Sequence, residues 1–170
     1  LHLFGRAETN QSVVESPYKK FNVAYKQQTV EDFKNLDVIY YLASDSIPVS
    51  SWENPKIEIE KNLIPFLDFL DCVAQTAVKK IVFVSSAGTI YGSSNEKLNE
   101  NTNKFPFSPY GINKLTMEYY LNYYQEKNNL KYDIFRVSNI YGEGQQTHKG
   151  LGIINTFLEN MVSGKDIKVY

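Results

Sequence analysis

The stretch Lys79-Lys80-Ile81-Val82-Phe83-Val84-Ser85-Ser86 decides the fold of this chain. Its central apolar residues, mostly β-branched, predict a strand that lies deep inside a parallel sheet. A similar run over residues 37–43 predicts a second strand, buried on both faces, and residues 132–137 predict a third. A helical pattern from about Pro55 to Ala77 separates the first two strands. Strands that alternate with helices of this length indicate βαβ units, so the predicted fold class is α/β with a doubly wound, Rossmann-like parallel sheet.

The composition of the 170 residues excludes several classes of protein. A net charge of −1 and a hydrophobic content of 42% argue against disorder and against a nucleic-acid-binding surface. No apolar run approaches the length of about 18 residues that a membrane span requires. The single cysteine, Cys72, fits a reducing compartment, and we expect a soluble, cytoplasmic protein. His2 and His148 lie too far apart to suggest a metal site, so none is predicted.

The segment Ser108-Pro109-Tyr110-Gly111-Ile112-Asn113-Lys114 contains a candidate acid/base pair. Its Ser-Pro opening is an N-cap and first-turn signal, which places Tyr110 at a helix start and Lys114 one turn later on the same face. A nearby ammonium supplies about 4 kcal/mol at an effective dielectric constant of about 20, enough to bring a phenol pKa from about 10 towards neutrality. The same spacing recurs at Tyr123 and Lys127, near the helix end, without the flanking signals.

Four features together resemble the extended branch of the short-chain dehydrogenase/reductase superfamily, the NAD(P)-dependent nucleotide-sugar epimerases and dehydratases. They are the Tyr-Lys pair, its N-cap signal, the apolar run ending in Ser85-Ser86, and the stretch Arg136–Gly144. The resemblance runs from about Val38 to the C-terminus and is strongest for members of the UDP-glucose 4-epimerase type. It implies that Tyr110 takes a proton from a sugar hydroxyl. It also implies that Lys114 is the electrostatic partner of Tyr110 and binds the nicotinamide ribose.

The loop Ser85-Ser86-Ala87-Gly88-Thr89-Ile90-Tyr91-Gly92 departs from the family at one position. The epimerase pattern reads Ser-Ser-Ser-Ala-Thr-Val-Tyr-Gly, so Ala87 stands where the usual catalytic Ser or Thr does. Ser86 and Thr89 are the neighbours that would donate the substrate hydrogen bond instead, with Ser86 slightly ahead. Alternatively, Tyr110 works without a hydroxyl partner, or the protein is inactive. The loop has no carboxylate where sugar 4,6-dehydratases carry Thr-Asp-Glu, which disfavours a dehydratase.

The resemblance also implies contacts to cofactor and substrate. In this family the strand end matched by residues 42–44 passes the cofactor, and Asn62 matches a helix position near it. Asn is unfavourable inside helices, so we expect hydrogen bonds to compensate this one. Arg136, just before the site, is an expected ion-pair partner. The residues expected to bind the cofactor are Arg6, Leu42, Ala43, Ser44, Asn62, Ser85, Tyr110, Lys114 and Ser138, and those expected at the substrate are Ala87 and Asn139.

Arg6 bears on the choice of cofactor. NAD-specific members place Asp or Glu at the end of the second strand, where it binds the ribose hydroxyls. Gly5-Arg6 stands there in this chain, and an arginine would suit the 2′-phosphate of NADP. An exposed loop arginine explains the residue equally well. NAD is therefore the expected cofactor, and NADP stays open.

The chain is expected to be part of a longer domain. No Gly-x-x-Gly-x-x-Gly occurs, so we expect the first strand and the glycine-rich loop that holds pyrophosphate to be missing. Residues 1–170 are interpreted as a partial NAD(P)-binding Rossmann-like domain, with a C-terminal substrate lobe that only begins near 151–170. We expect this polypeptide alone to bind cofactor poorly.

Three functions are compatible with these residues, and the first is favoured. It is a nucleotide-sugar epimerase that uses tightly held NAD in a transient oxidation of a sugar carbon, with Tyr110 as the base. The second is an NADP-dependent keto-sugar reductase in which the same pair acts as an acid. The third, motivated by Ala87, is a non-catalytic sugar-nucleotide-binding protein. Family members often dimerise through a four-helix bundle, so a homodimer is expected, formed by the helix from Pro55 and the Tyr110 helix.

Overall fold

Three parallel strands form the sheet in the part of the chain that the structure describes. The structure is a computed structural model, and it describes residues 28–46, 48–95, 97–142, 145 and 152–167. Both strand pairings are parallel, with Phe83 of the central strand beside Tyr41 on one side and Ile134 on the other. This confirms the predicted α/β class with a Rossmann-like parallel sheet. The strands, in their order across the sheet, are β1 (Val38–Tyr41), β2 (Lys80–Ser86) and β3 (Tyr132–Val137).

Helices connect the strands in the predicted alternating order. The helix expected over 55–77 is present but ends at Val73, because the Gln75 and Thr76 N–H groups donate to carbonyls three residues earlier and tighten the last turn. Within the described ranges, no helix is both long and apolar enough to cross a membrane. The helical segments are α1 (Val30–Phe33), α2 (Pro48–Ser51), α3 (Pro55–Glu58), a π-turn (Ile59–Leu63), α4 (Ile64–Val73), α5 (Ala87–Ile90), α6 (Pro109–Asn128) and α7 (Ile153–Val162).

A π-turn interrupts the helix that the sequence predicted as continuous between β1 and β2. Pro65 lies directly after this turn, near the start of α4. A proline inside a helix has no N–H to donate, and its ring clashes with the carbonyl four residues earlier, so a widened turn at this point relieves the clash. The same turn brings two polar side chains into the interior, since Glu58 is 2% exposed and Asn62 is 3% exposed.

Helix α6 begins as the sequence predicts and lies very close to the loop after β2. The Ser108 Oγ accepts a hydrogen bond of 3.1 Å from the Gly111 N–H, which is the expected N-cap. A β-carbon at Gly111 would lie 2.4 Å from the carbonyl oxygen of Thr89. Only glycine allows this approach, so the first turn of α6 is held directly against the segment that follows β2.

The apolar core lies on one face of the sheet, between the strands and helices α4 and α6. Aromatic rings of the strands and of α4 meet there, with Tyr41 and Phe66 4.9 Å apart between centroids and Phe66 and Phe83 5.4 Å apart. The prediction that the first strand is buried on both faces is wrong. Tyr40 is 63% exposed, because its side chain points to the face opposite these helices.

Candidate active site

The predicted pair, Tyr110 and Lys114, lies at the junction of α6 with the C-terminal end of β2. Lys114 is 7% exposed, and its Nζ lies 5.7 Å from the centroid of the Tyr110 ring. The same Nζ donates a hydrogen bond of 3.1 Å to the Val84 carbonyl and lies 5.0 Å from the centroid of the Phe83 ring. Tyr110 is half-buried. The strand end therefore holds the ammonium in place beside the phenol.

Burial dominates the electrostatics of the pair. Loss of hydration lowers the pKa of Lys114 to about 8, although the carboxylates of Glu58 and Glu118 act in the opposite direction. The pKa of Tyr110 is raised, first by burial and then by the negative charge of Glu58. The prediction that Lys114 brings the Tyr110 pKa towards neutrality is therefore not met by the residues of this chain alone. At neutral pH Tyr110 is a phenol, and Lys114 is mainly an ammonium.

The second Tyr-Lys pair has similar geometry in a different environment. Lys127 Nζ lies 5.4 Å from the centroid of the Tyr123 ring, a separation close to that of the first pair. Tyr123, however, is 49% exposed on the outer surface of α6. Burial rather than spacing distinguishes the two pairs, because only a buried ammonium keeps its influence on a neighbour without strong screening by water.

Two hydroxyl groups near the pair have no hydrogen-bond partner among the described residues. They belong to Ser85, which is 2% exposed, and to Thr89. Ser86, the first-ranked candidate for the missing catalytic hydroxyl, is half-buried at the N-cap of α5 and makes no capping bond with its side chain. A buried hydroxyl without a partner costs about 1–3 kcal/mol, so Ser85 and Thr89 are positioned to bind a ligand that supplies one.

Asn62 ties the helix that follows β1 to the loop at the end of β1. Its Oδ1 accepts a hydrogen bond of 2.7 Å from the Asp45 N–H, and its Nδ2 donates to the Ser46 Oγ at 3.0 Å and to Glu58 Oε2 at 3.2 Å. These bonds provide the compensation that an Asn in a helix was predicted to need. The loop begins with the predicted cofactor contacts, of which Leu42 is exposed and Ala43 and Ser44 are half-buried.

Glu58 is a buried acid in the site that the sequence analysis did not identify. Its carboxylate binds Asn62, and its backbone carbonyl accepts a hydrogen bond of 3.1 Å from the Asn113 Nδ2 of α6. Asn113 lies between Tyr110 and Lys114 in the sequence. Two signals in the sequence could have identified Glu58: it lies four residues before Asn62, and Pro65 follows three residues after Asn62. Together they indicate an irregular helix with a polar interior.

Arg136 forms the ion pair that the sequence predicts. Its guanidinium binds both carboxylate oxygens of the buried Glu118, at 3.1 and 2.7 Å, and the Tyr91 hydroxyl at 2.8 Å. Together with Ala87, the residues Tyr91 and Arg136 line a groove of about 580 Å³ beside the site. The guanidinium thus fixes the wall of a groove in which the predicted substrate residue Ala87 lies.

The remaining predicted residues are exposed or lie outside the described part of the chain. Ser138 and Asn139 follow β3 and are exposed. Arg6 falls outside the described residues, so its predicted contact with the cofactor stays a prediction. Across the described ranges, no three His, Cys, Asp or Glu side chains form a group that would hold a metal ion.

Known proteins resemble this chain in sequence and in fold. The curated relatives include a putative UDP-glucose 4-epimerase of Methanocaldococcus jannaschii, 33% identical over 79% of this chain and 44% of the relative. A dTDP-4-dehydro-6-deoxyglucose reductase of Escherichia coli is 32% identical over 75% of this chain and 40% of the relative. Among solved structures, the UDP-glucose 4-epimerase of Thermus thermophilus in complex with NAD superimposes with a TM-score of 0.84 at 26% identity. That superposition covers 99% of this chain and 57% of the other.

The chain spans less than half the length of these two curated relatives. A sequence model of the NAD dependent epimerase/dehydratase family matches residues 7–170, nearly the whole chain. The match includes the buried Tyr-Lys pair, the loop after β2 and the three parallel strands. The chain therefore belongs to the NAD dependent epimerase/dehydratase family.

Proposed function

We propose that the chain is part of a nucleotide-sugar 4-epimerase, with Tyr110 as its acid/base residue. The observation that carries the proposal is the Tyr110–Lys114 pair, held against the end of β2 by the Lys114–Val84 hydrogen bond. UDP-glucose 4-epimerases recur among both the curated relatives and the solved structures that resemble this chain. One fold can support several reactions, so the proposed chemistry rests on these residues and not on the fold.

The residues around Lys114 fit a nicotinamide cofactor, and NAD is the one we propose. An ammonium has three N–H donors, and the bond to Val84 uses one, which leaves donors for the ribose hydroxyls. The Ser85 hydroxyl, which has no partner in the part of the chain that the structure describes, and the half-buried Ala43 and Ser44 offer further contacts at the ends of β2 and β1. When bound, NAD supplies an acceptor for the hydride of a sugar carbon and a positive charge beside the base.

Tyr110 would take the proton from the hydroxyl oxygen on the sugar carbon that is to be inverted, and it would return this proton when the hydroxyl is restored. Bound NAD would supply the hydride chemistry, as acceptor and then donor at that carbon, so that no cofactor is consumed overall. Because the pKa of Tyr110 is raised in the chain alone, its ionisation needs positive charge. The Lys114 ammonium supplies part of that charge, and the oxidised cofactor supplies the rest.

Thr89 is the hydroxyl that we place against the reacting oxygen, ahead of Ser86. The Thr89 hydroxyl is buried without a partner among the described residues, and its backbone lies against Gly111, the neighbour of Tyr110. Ser86 is the N-cap of α5, and its side chain makes no capping hydrogen bond. A hydrogen bond that strengthens as charge develops on the substrate oxygen would make Thr89 the substitute for the serine that Ala87 replaces.

The direct test is an assay of the complete protein with UDP-glucose and related nucleotide sugars. An epimerase converts one sugar into its 4-epimer without net consumption of cofactor, and it releases NAD when it is denatured. Mass spectrometry of the released nucleotide and chromatography of the sugars measure both properties. Net oxidation of a reduced cofactor, with no epimer formed, would contradict the proposal.

A keto-sugar reductase is the second candidate function. The relative from Escherichia coli, a dTDP-4-dehydro-6-deoxyglucose reductase, is almost as similar to this chain as the putative epimerase is. In a reductase, Tyr110 would donate its proton to the carbonyl oxygen of the substrate, and a phenol with a raised pKa is suited to that role. Stoichiometric NADPH consumption with a keto-sugar would favour this function, and it would support a role for Arg6 at the 2′-phosphate.

A homodimer is part of the proposal. Helix α6 exposes apolar side chains at Ile112, Tyr119 and Tyr123, which lie on one face because they are spaced by seven and four residues. The helical segment between β1 and β2 exposes Ile59 and Ile64. Two helices from each of two chains would bury these residues in a four-helix bundle.

A further inference from the structure

Glu58 is the most unusual charged residue in the site, because it is buried and lies outside the acid/base pair itself. Glu58 is 2% exposed, and its Oε1 atom has no hydrogen-bond partner among the described residues. Burying a carboxylate is costly unless nearby groups compensate its charge. The buried charge of Glu58 must therefore be explained by its effect on the neighbouring groups of the site.

The hydrogen bonds of Glu58 fix the orientation of Asn62. A carboxylate only accepts hydrogen bonds, so the Asn62 side chain must turn its NH₂ group towards Glu58 Oε2. Its carbonyl oxygen is then left to accept the Asp45 N–H at 2.7 Å. Glu58 thereby sets the shape of the loop at the end of β1, where the cofactor is proposed to bind.

Glu58 also connects this loop to the helix of the acid/base pair. Its backbone carbonyl accepts the Asn113 Nδ2 hydrogen bond, which attaches the end of α3 to α6 at a position between Tyr110 and Lys114. Its negative charge acts through space on both members of the pair: it opposes the fall that burial causes in the pKa of Lys114, and it adds to the rise that burial causes in the pKa of Tyr110. Two other acids near the pair differ from Glu58 because each forms an ion pair with a cation. Glu118 is bound by Arg136, and Asp45 is paired with Lys61.

We propose that Glu58 is a positioning residue of this site: its buried carboxylate orients the Asn62 amide and is the counter-charge of the buried Lys114, next to which the Asn113 side chain binds the Glu58 backbone. The inference rests on the proposed function, because it assigns Glu58 to the same acid/base pair. Glu58 touches neither the reacting atoms nor, by its side chain, the pair. It acts through Asn62, through α6 and through its charge.

The first test compares Glu58→Gln with Glu60→Gln in the complete enzyme. Glu60 lies two residues away, half exposed and paired with Lys56, so its replacement removes an equal charge without touching the site. Loss of the Glu58 charge lowers the pKa of both Tyr110 and Lys114. Both limbs of the pH profile of kcat/KM should therefore move to lower pH, by about one unit, while E60Q leaves them in place.

The second test does not depend on activity. In Lys114→Met the carboxylate of Glu58 is left buried without its counter-charge, so adding E58Q should raise the melting temperature of that variant. In the wild-type background, E58Q should lower it. An E58Q substitution that destabilises both backgrounds equally would overturn the counter-charge role, and so would a pH profile whose limbs stay in place. Failure of the proposed function would be seen separately, as a wild-type enzyme without Tyr110-dependent activity.

Discussion

At the residue scale, chemical environment rather than spacing selects the functional groups. Tyr110–Lys114 and Tyr123–Lys127 have the same spacing and nearly the same separation of ring and ammonium, yet only Lys114 is buried against a strand end. The flanking motifs in the sequence favour the same pair that is buried in the structure. It could not rank Ser86 and Thr89, because which hydroxyl is left without a partner depends on how α6 packs against the loop.

Thr89 should matter more than Ser86 for turnover. Replacing Thr89 by Val keeps the shape and removes the hydroxyl, so kcat should fall by about 10²-fold, the loss expected when one donor to a developing oxyanion is removed. Ser86→Ala should change kcat less. Steady-state kinetics of the two variants of the complete enzyme measure this. A larger loss in S86A would return the role to Ser86.

At the element scale, local signals predicted where elements begin but not how they adapt to one another. The Ser108 cap and the alternation of strands and helices were visible in the sequence. The π-turn was not identified, because its polar interior is completed by Asn113, which is 55 positions further along the chain than Glu58. The exposed face of β1 was also missed, since burial depends on which helices cover the sheet.

The contact between α6 and the loop after β2 should be intolerant of a single methyl group. In Gly111→Ala the new β-carbon would meet the Thr89 carbonyl oxygen at 2.4 Å, so the free energy of unfolding should fall by about 1–3 kcal/mol. Gly88→Ala, which adds the same methyl group where no atom lies within 4 Å, should have little effect. Chemical denaturation of both variants measures the difference. Equal stabilities would mean that the helix does not lie against the loop this closely.

At the scale of the whole molecule, the chain matches only part of its relatives. The curated relatives from Methanocaldococcus jannaschii and Escherichia coli extend well beyond the matched region, which is 44% and 40% of their lengths. The family and the parallel sheet could be predicted from the sequence. The sugar could not, because relatives named for different nucleotide sugars match the same part of this chain.

The proposed four-helix bundle predicts a dimer, and charged residues introduced on the apolar face of α6 should disrupt it. Ile112→Glu combined with Tyr119→Glu places two carboxylates on the apolar face of α6 and should give a monomer with unchanged helical content. Light scattering and circular dichroism of the complete protein measure these two properties. Val162→Glu on α7, at a residue that is 90% exposed, serves as the control and should leave the mass unchanged. A double variant that keeps the mass of the wild type would exclude this face of α6 as the interface.

The central claim is that the half-buried Tyr110 carries the proton transfer, and the most direct measurement compares Tyr110→Phe with Tyr123→Phe in the complete protein. Each variant removes one phenolic hydroxyl from α6 beside a lysine one turn later. We expect Y110F to lose at least about 10²-fold in kcat while its bound cofactor is retained, and Y123F to remain close to the wild type. Equal losses in the two variants, or a fully active Y110F enzyme, would contradict the assignment.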